Sequence, residues 1–208
     1  MTWIQTYTGR QVNVPPESAD EICLDDIVHQ LSMICRFHGA CRQFYSVAEH
    51  SVRMVEALET LNHNFEQFGL PRISENLLRW ALLHDAHEAY LGDVPRPIKR
   101  DLLVYEDGGT NRYAPSDMQD IFDEKIAERF ALDWLTDEEQ TWLKHADGAM
   151  LAAEARDLMA EPPAPWETLP APVGFRIEST WKPIDAKNAF DNKARALGLR
   201  SRELGFQR

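Results

Sequence analysis

Within the apolar stretch from Leu77 to Leu91 two ionisable residues stand side by side, in the run Leu82-Leu83-His84-Asp85-Ala86. Burying an imidazole and a carboxylate among leucines costs on the order of several kcal/mol unless each is hydrogen-bonded, paired or bound to a cation. A chain with this pair must fold so that polar groups from other elements come to meet it. Taken alone the pair has two readings, a His–Asp hydrogen bond that pins helices together and a metal site.

The surrounding pattern is helical. Leu24, Ile27, Leu31 and Ile34 recur at helix spacing, with Gly39 as the stop. Ser46-Val47-Ala48-Glu49 reads as a capping box opening a second helix, with His50 in its first turn. A third begins near Ser74 and runs unbroken to Leu91, where Gly92 ends it, so that His84, Asp85 and Glu88 share one face. Ser116-Asp117-Met118-Gln119 and Thr136-Asp137-Glu138-Glu139 read as two further capping boxes. Ile121, Phe122, Ile126 and Phe130 follow the first at helical spacing, and Leu143, Ala146, Met150 and Ala153 the second. The expected class is all-α. Residues 1–23 form an arm that alternates around Thr8-Gly9-Arg10 as a short β-hairpin; residues 24–160 form the helical domain. Residues 161–208 supply a proline-rich linker and a last helix carrying Ala186, Phe190, Ala194 and Leu197 up to Gly198. Residues 93–116, broken by Pro95, Pro97, Gly108-Gly109 and Pro115, read as a mobile lid loop.

Composition narrows the partners. Among 208 residues, 22 Lys and Arg face 34 Asp and Glu, and the formal charge of −12 opposes a sequence-independent grip on nucleic acid or anionic lipid. The longest apolar run, Leu77 to Leu83, is interrupted by Arg79, and the N-terminus lacks the basic start and apolar stretch of a signal peptide. A soluble, cytoplasmic protein is expected, with no nucleic-acid polymer and no membrane as partner. Cys23, Cys35 and Cys41 form no Cys-x-x-Cys pair and read as reduced, mostly buried thiols.

Several residues can join the His84–Asp85 pair. Glu88 lies four after His84 and three after Asp85. Asp147 sits among Leu143, Ala146 and Met150, either on the inward stripe of another helix or at its edge. His50, with Val47, Met54 and Val55 near it, is a core histidine or a ligand. His87 could approach the pair, whereas His145, two residues from Asp147, points away from it on a helix.

The order His50, His84-Asp85, Asp147 resembles the H…HD…D signature of the HD superfamily of metal-dependent phosphohydrolases. The words around it resemble the bacterial and phage 5′-deoxynucleotidases and deoxynucleoside triphosphate (dATP) phosphohydrolases: Phe44-Tyr45-Ser46-Val47-Ala48-Glu49-His50-Ser51, then Leu83-His84-Asp85-Ala86-His87-Glu88-Ala89-Tyr90-Leu91-Gly92-Asp93-Val94-Pro95-Arg96-Pro97-Ile98-Lys99, then Lys144-His145-Ala146-Asp147. The resemblance spans roughly residues 20–160 in order. It implies an HD-domain helical bundle with His50, His84, Asp85 and Asp147 as ligands of a divalent transition metal, Zn, Mn or Co, and allows additional Mg or Mn with the substrate phosphates. Glu88 and Asp93 take the part of catalytic carboxylates that orient or deprotonate the attacking water or protonate the leaving group. Arg36, Lys99 and Lys144 fall where relatives contact phosphate. Phe37 stands where some carry a tryptophan against the sugar, and Pro97 lines the base pocket or stiffens the loop. His87 replaces a small residue usual in relatives.

The activity this implies is removal of 5′-phosphate from a deoxynucleotide, mono- or triphosphate, by metal-activated water, in a homo-oligomer. The competing readings are another HD activity, on cyclic nucleotides or alarmones, and a non-catalytic metal- or nucleotide-sensing module. The first is disfavoured because binuclear HD phosphodiesterases need further histidines between the pair and the last Asp. Arg96, Lys99 and Arg100, with Arg36, Arg42 and Lys144, suggest a small positive funnel inside an acidic exterior.

Overall fold

A computed structural model of the chain describes residues 3–67, 72–99, 104–105, 112–164, 166 and 169–200. Two short strands, β1 (Trp3–Gln5) and β2 (Gln11–Asn13), pair antiparallel, with Ile4 opposite Val12. Gly9, at φ +82°, makes the turn between them as the Thr8-Gly9-Arg10 pattern predicts. Asp26, fully buried, ties this hairpin to the first helix: its carboxylate accepts from the Thr6 hydroxyl at 2.8 Å, the Thr8 amide at 2.6 Å and the Thr8 hydroxyl at 3.0 Å.

The rest is mainly helical: α1 (Leu24–Met33), α2 (Val47–Gln67), α3 (Glu75–Leu83), α4 (Glu88–Leu91), α5 (Arg96–Lys99), α6 (Pro115–Phe130), α7 (Asp137–Leu158) and α8 (Pro183–Ala196). Helix α2 is the centre, packed against α1, α3, α7 and α8. Its buried Val47, Ala48, Val52, Met54, Val55 and Leu58 supply the apolar faces these neighbours cover. The proline-rich segment leads into α8, whose Ala186, Phe190 and Ala194 are fully buried against α1 and α2. Arg79 of α3 donates to the Leu197 carbonyl at 2.8 Å, and Glu49 of α2 accepts from the Trp181 amide at 2.8 Å, fastening both ends of α8. No helix among the described residues is long and apolar enough to cross a membrane.

Several local expectations are corrected. Helix α1 stops at Met33, well before Gly39, because Ile34 turns extended and the chain pairs with the approach to α2: Arg36 N–H donates to Tyr45 O at 2.9 Å and Val47 N–H to Ile34 O at 3.1 Å. Ser46 caps α2 by accepting the Glu49 amide at 3.1 Å, but the Glu49 carboxylate turns to Arg53 and Trp181 instead of closing the box. At α6 the cap is Ala114, with Pro115 in the first turn and the Asp117 carboxylate accepting the Ala114 amide at 2.8 Å. Thr136 and Glu139 do form the full capping box of α7. Within residues 93–116, expected as a lid loop, the described parts ahead of α6 hold only short elements, α5 and a strand pair, β3 (Val104–Tyr105) with β4 (Arg112–Tyr113). Gly108-Gly109, Arg100 and the last eight residues lie outside the described residues. All three thiols are free, Cys23 buried but Cys35 and Cys41 only half-buried.

The expected unbroken helix from Ser74 to Leu91 is in fact two. Ser74 caps α3 as predicted, accepting the Leu77 amide at 3.0 Å. After Leu83 the backbone tightens: the amides of Ala86, Glu88 and Ala89 donate three residues back instead of four. The cause is local. His84 Nδ1 donates to Ala81 O at 2.8 Å, the carbonyl that an uninterrupted α-helix would give to the Asp85 amide. The helix resumes as α4 and ends at Gly92, at φ +80°.

Because α8 completes the core, Phe190→Ala should cost about 3–5 kcal/mol, read as a lowered urea midpoint. A loss below about 1 kcal/mol would show α8 to be a loosely attached appendage.

A candidate metal centre

Four predicted ligands converge from three helical regions. His50, in the first turn of α2 and fully buried, presents Nε2 3.2 Å from His84 Nε2, 3.5 Å from Asp147 Oδ1 and 3.9 Å from Asp85 Oδ2. Asp85 Oδ2 is itself 3.2 Å from His84 Nε2. One ligand atom each from His50, His84 and Asp147 lies within 4.8 Å of the others. The break after Leu83 serves this meeting, since it lets His84 and Asp85, neighbours in sequence, both approach His50 of α2.

The tautomers follow from the partners. Ala81 O can only accept, so His84 Nδ1 carries a proton. Glu154, fully buried on α7, takes the His50 Nδ1–H at 2.5 Å and the Tyr45 hydroxyl at 3.0 Å. Burial works to raise the Glu154 pKa, but Arg36, His50 and Tyr45 outweigh it and hold the carboxyl below its ordinary range. Both imidazoles have thus spent Nδ1–H, and in their neutral forms bare Nε2 lone pairs face one another across 3.2 Å. Such a pair needs a cation or a proton between them. Two imidazole nitrogens and two carboxylate oxygens suit a borderline divalent ion, and the residues present therefore fit the metal set that the sequence suggests.

Arg36 is the cationic counterpart. Its Nη1 donates to Asp85 Oδ2 at 3.0 Å and its Nε lies 3.4 Å from Glu154 Oε2. Burial opposes its charge, yet Glu154, Asp85, Asp147 and Glu88 raise its pKa further above the ordinary arginine value. The next residues, Phe37 and His38, take left-handed backbone at φ 56° and 52°, which costs about 1–2 kcal/mol each for a residue with a Cβ. The Asp93 carboxylate holds this turn by accepting the Phe37 amide at 3.0 Å. Asp93, predicted to act on water, therefore also fixes Phe37 beside Arg36.

Glu88 begins α4 next to the cluster, almost fully buried, with Oε2 unpartnered. Burial, then Asp85 and Asp93, push its carboxyl up to about 9, against the pull of Arg36 and Lys99. Lys99 Nζ lies 3.7 Å from Glu88 Oε1, so α5 does bring this cation to the site. Pro97, on the same helix, is exposed. Lys144 and His145 are exposed on α7 and Arg42 is exposed before α2; the side chains of Arg96 and Arg100 lie outside the described residues, and among the described side chains of the expected funnel Arg36 and Lys99 are the ones in contact with the cluster carboxylates. His87 is closer in than expected: it is buried, Nδ1 is 3.0 Å from Asp123 Oδ1, Nε2 faces Gln119, and it forms with Asp85 and Glu88 a second group within 4.8 Å.

Sequence reasoning missed Glu154 and Tyr45. The signal for Glu154 was present: it lies seven residues after Asp147, two turns along the same stripe, among Met150 and Ala153.

No protein-family model matches the chain. The uncharacterized protein YfdR of Escherichia coli strain K12 is 34% identical over 180 residues, 85% of this chain and 85% of the relative. An uncharacterized protein of Rhodobacter capsulatus is 34% identical over 99 residues, 47% of this chain and 46% of that protein.

The buried protons give the metal-free protein a characteristic pH dependence. Burial alone would lower the His84 pKa, but Asp85 and Asp147 raise it to about 9, so its contribution is complete below about 6.5 and is lost as pH rises through about 9. Glu88 keeps a proton that the unfolded chain gives up near 4.5, and so removes stability as pH climbs from there to about 9. Asp85 and Glu154, both depressed, stabilise above the ordinary carboxylate range and lose that contribution in acid. The melting temperature in chelator should peak between about pH 5 and 6 and decline toward pH 9. Glu88→Gln should flatten the decline, and a wild-type profile that rises across pH 6–9 would contradict the protonation scheme.

Proposed function

This chain belongs to the family of the Escherichia coli protein YfdR, and from that footing we propose that it is a metal-dependent phosphohydrolase of the HD type, removing 5′-phosphate from 2′-deoxynucleotides. The observation that carries the reading is the pair of Nε2 atoms, 3.2 Å apart, whose Nδ1 protons are committed elsewhere and which two carboxylates flank. His50, His84, Asp85 and Asp147 would hold Zn, Mn or Co. Bound there, such an ion supplies Lewis acidity toward a phosphoryl oxygen and a water of lowered pKa.

The chain's own residues divide the remaining work. Arg36, held on Asp85, offers a guanidinium beside the cluster, and Lys99 a second cation, to receive the phosphate's negative charge. Glu88, buried beside Asp85 with its carboxyl pushed up by burial, Asp85 and Asp93, is set to deliver a proton to the 5′-oxygen as the deoxynucleoside leaves. Water adds to phosphorus, the P–O5′ bond breaks, and phosphate and nucleoside result. Asp93 keeps Phe37 and Arg36 in register through the Phe37 amide. Phe37 packs against the sugar. Additional Mg or Mn would arrive with the substrate phosphates rather than on ligands of the chain. A cytoplasmic homo-oligomer acting on a small nucleotide is the setting this reading implies.

The test is phosphate release from deoxynucleoside mono- and triphosphates, ribonucleotides, cyclic nucleotides and alarmones, with Mn, Co or Zn supplied. Deoxynucleotides should be hydrolysed and chelator should stop the reaction. His84→Ala should lower kcat/KM at least about a thousandfold. Glu88→Gln should lower kcat by about a hundredfold or more while leaving metal content unchanged. No release by wild type, or His84→Ala equal to wild type, would sink the proposal.

A further inference from the structure

The segment after α7 does more than lead to α8. Pro170 lies against Gly148, the residue following Asp147, so closely that a Cβ on Gly148 would be 3.0 Å and 3.1 Å from two Pro170 ring carbons. Val173 N–H donates to Ala149 O at 3.3 Å. Farther along, Asp157 accepts from the Ile177 amide at 2.9 Å and from Arg176. The segment is thus laid along α7 beginning beside a predicted metal ligand. Four residues before Pro170, the Trp166 ring meets the Phe37 ring edge to face, 6.5 Å between centroids and 69° between planes. Phe37 in turn lies beneath the Arg36 guanidinium, 5.4 Å from its ring centre, and Arg36 bonds Asp85. A row of planar groups therefore runs from the predicted metal cluster outward through Arg36 and Phe37 to Trp166, which is 39% exposed.

We infer that Trp166 is a base-recognising residue: with Phe37 it makes the aromatic corner in which the nucleobase of the substrate stacks. Two rings set nearly at right angles present one face and one edge, so a flat base can lie on either face with its rim against the other ring. Phe37 is held by the Asp93 carboxylate on its amide, and Trp166 meets it edge to face. Stacking contributes to binding for every base, because each has a π-face, and grows with ring area, so purines are held better than pyrimidines. The inference rests on the proposed nucleotide hydrolysis for its substrate, and it goes further by giving the proline-rich segment a direct part in recognition.

The experiment compares wild type, Trp166→Ala and Trp166→Phe, metal-loaded, in two measurements. The first is kcat/KM for dAMP, dCMP and 2-deoxyribose 5-phosphate, which lacks a base. The second is equilibrium binding of deoxyadenosine, which cannot be hydrolysed. Trp166→Ala should lose about ten- to a hundredfold in kcat/KM for dAMP through KM, less for dCMP, and nothing for the base-less phosphate. Its affinity for deoxyadenosine should fall in proportion, and Trp166→Phe should restore most of both. Equal loss on all three substrates, or none on dAMP, overturns the inference while leaving the hydrolase reading in place. Trp166-dependent binding of deoxyadenosine without hydrolysis by wild type supports the inference and removes that reading. Neither binding nor hydrolysis by wild type overturns both.

Discussion

Everything at the candidate site depends on the buried carboxylate of Glu154. It takes protons from His50 Nδ1 and the Tyr45 hydroxyl and lies against the Arg36 guanidinium, so one side chain of α7 sets the tautomer of a histidine on α2 and the position of an arginine after α1. A lone carboxylate at that depth would be costly, and replacing the whole network by apolar residues of similar volume could leave the fold as stable. What the charged version provides is orientation. With Nδ1 engaged, His50 can only turn Nε2 toward His84, Asp85 and Asp147. Arrangements in which a carboxylate fixes a ligating imidazole through its other nitrogen are how proteins make histidine a firm and basic ligand.

The charges around this centre are matched by place. Arg36 stands between Asp85 and Glu154 and answers both. Asp147 lies beside the imidazoles, 3.5 Å from His50 Nε2, and Glu88 is buried next to Asp85. The metal-free molecule keeps protons here, on His84 and on Glu88, both of which bind theirs more tightly than usual. A divalent ion at the two imidazoles would take the place of the His84 proton, so uptake of metal at neutral pH should release it. The strained features cluster here too: the left-handed Phe37 and His38, the tightened turn after Leu83 and the unpartnered Glu88 oxygen. Local rules are broken where the site is built and kept elsewhere.

That division explains what the sequence made legible. The hairpin about Gly9, the Thr136 cap, the buried Ala186-Phe190-Ala194 stripe and the stop at Gly92 follow from short-range preferences that nothing in the fold opposes. The convergence of His50, His84, Asp85 and Asp147 is expected from the resemblance to the HD signature, because the residues by themselves leave His50 and Asp147 open between core and site. The misreadings arose where another partner displaced a helical hydrogen bond. His84 claims Ala81 O and splits one expected helix in two, and α1 ends before Gly39 because the backbone of Ile34 and Arg36 pairs with the approach to α2. Glu154 was written on the same stripe as Asp147, yet its role could not be seen without the neighbour it holds. The path of residues 170–177 along α7 depends on contacts such as Pro170 on Gly148, for which no periodicity exists.

The central claim is that His50, His84, Asp85 and Asp147 form one cation site shaped by Glu154. Anomalous scattering from crystals grown with Mn, Co or Zn measures this most directly. The account predicts a strong peak bound by the two Nε2 atoms and by the carboxylates of Asp85 and Asp147, with Glu154 on His50 Nδ1. Absence of an ion between the two imidazoles, with the metal absent altogether or held elsewhere in the molecule, would contradict it.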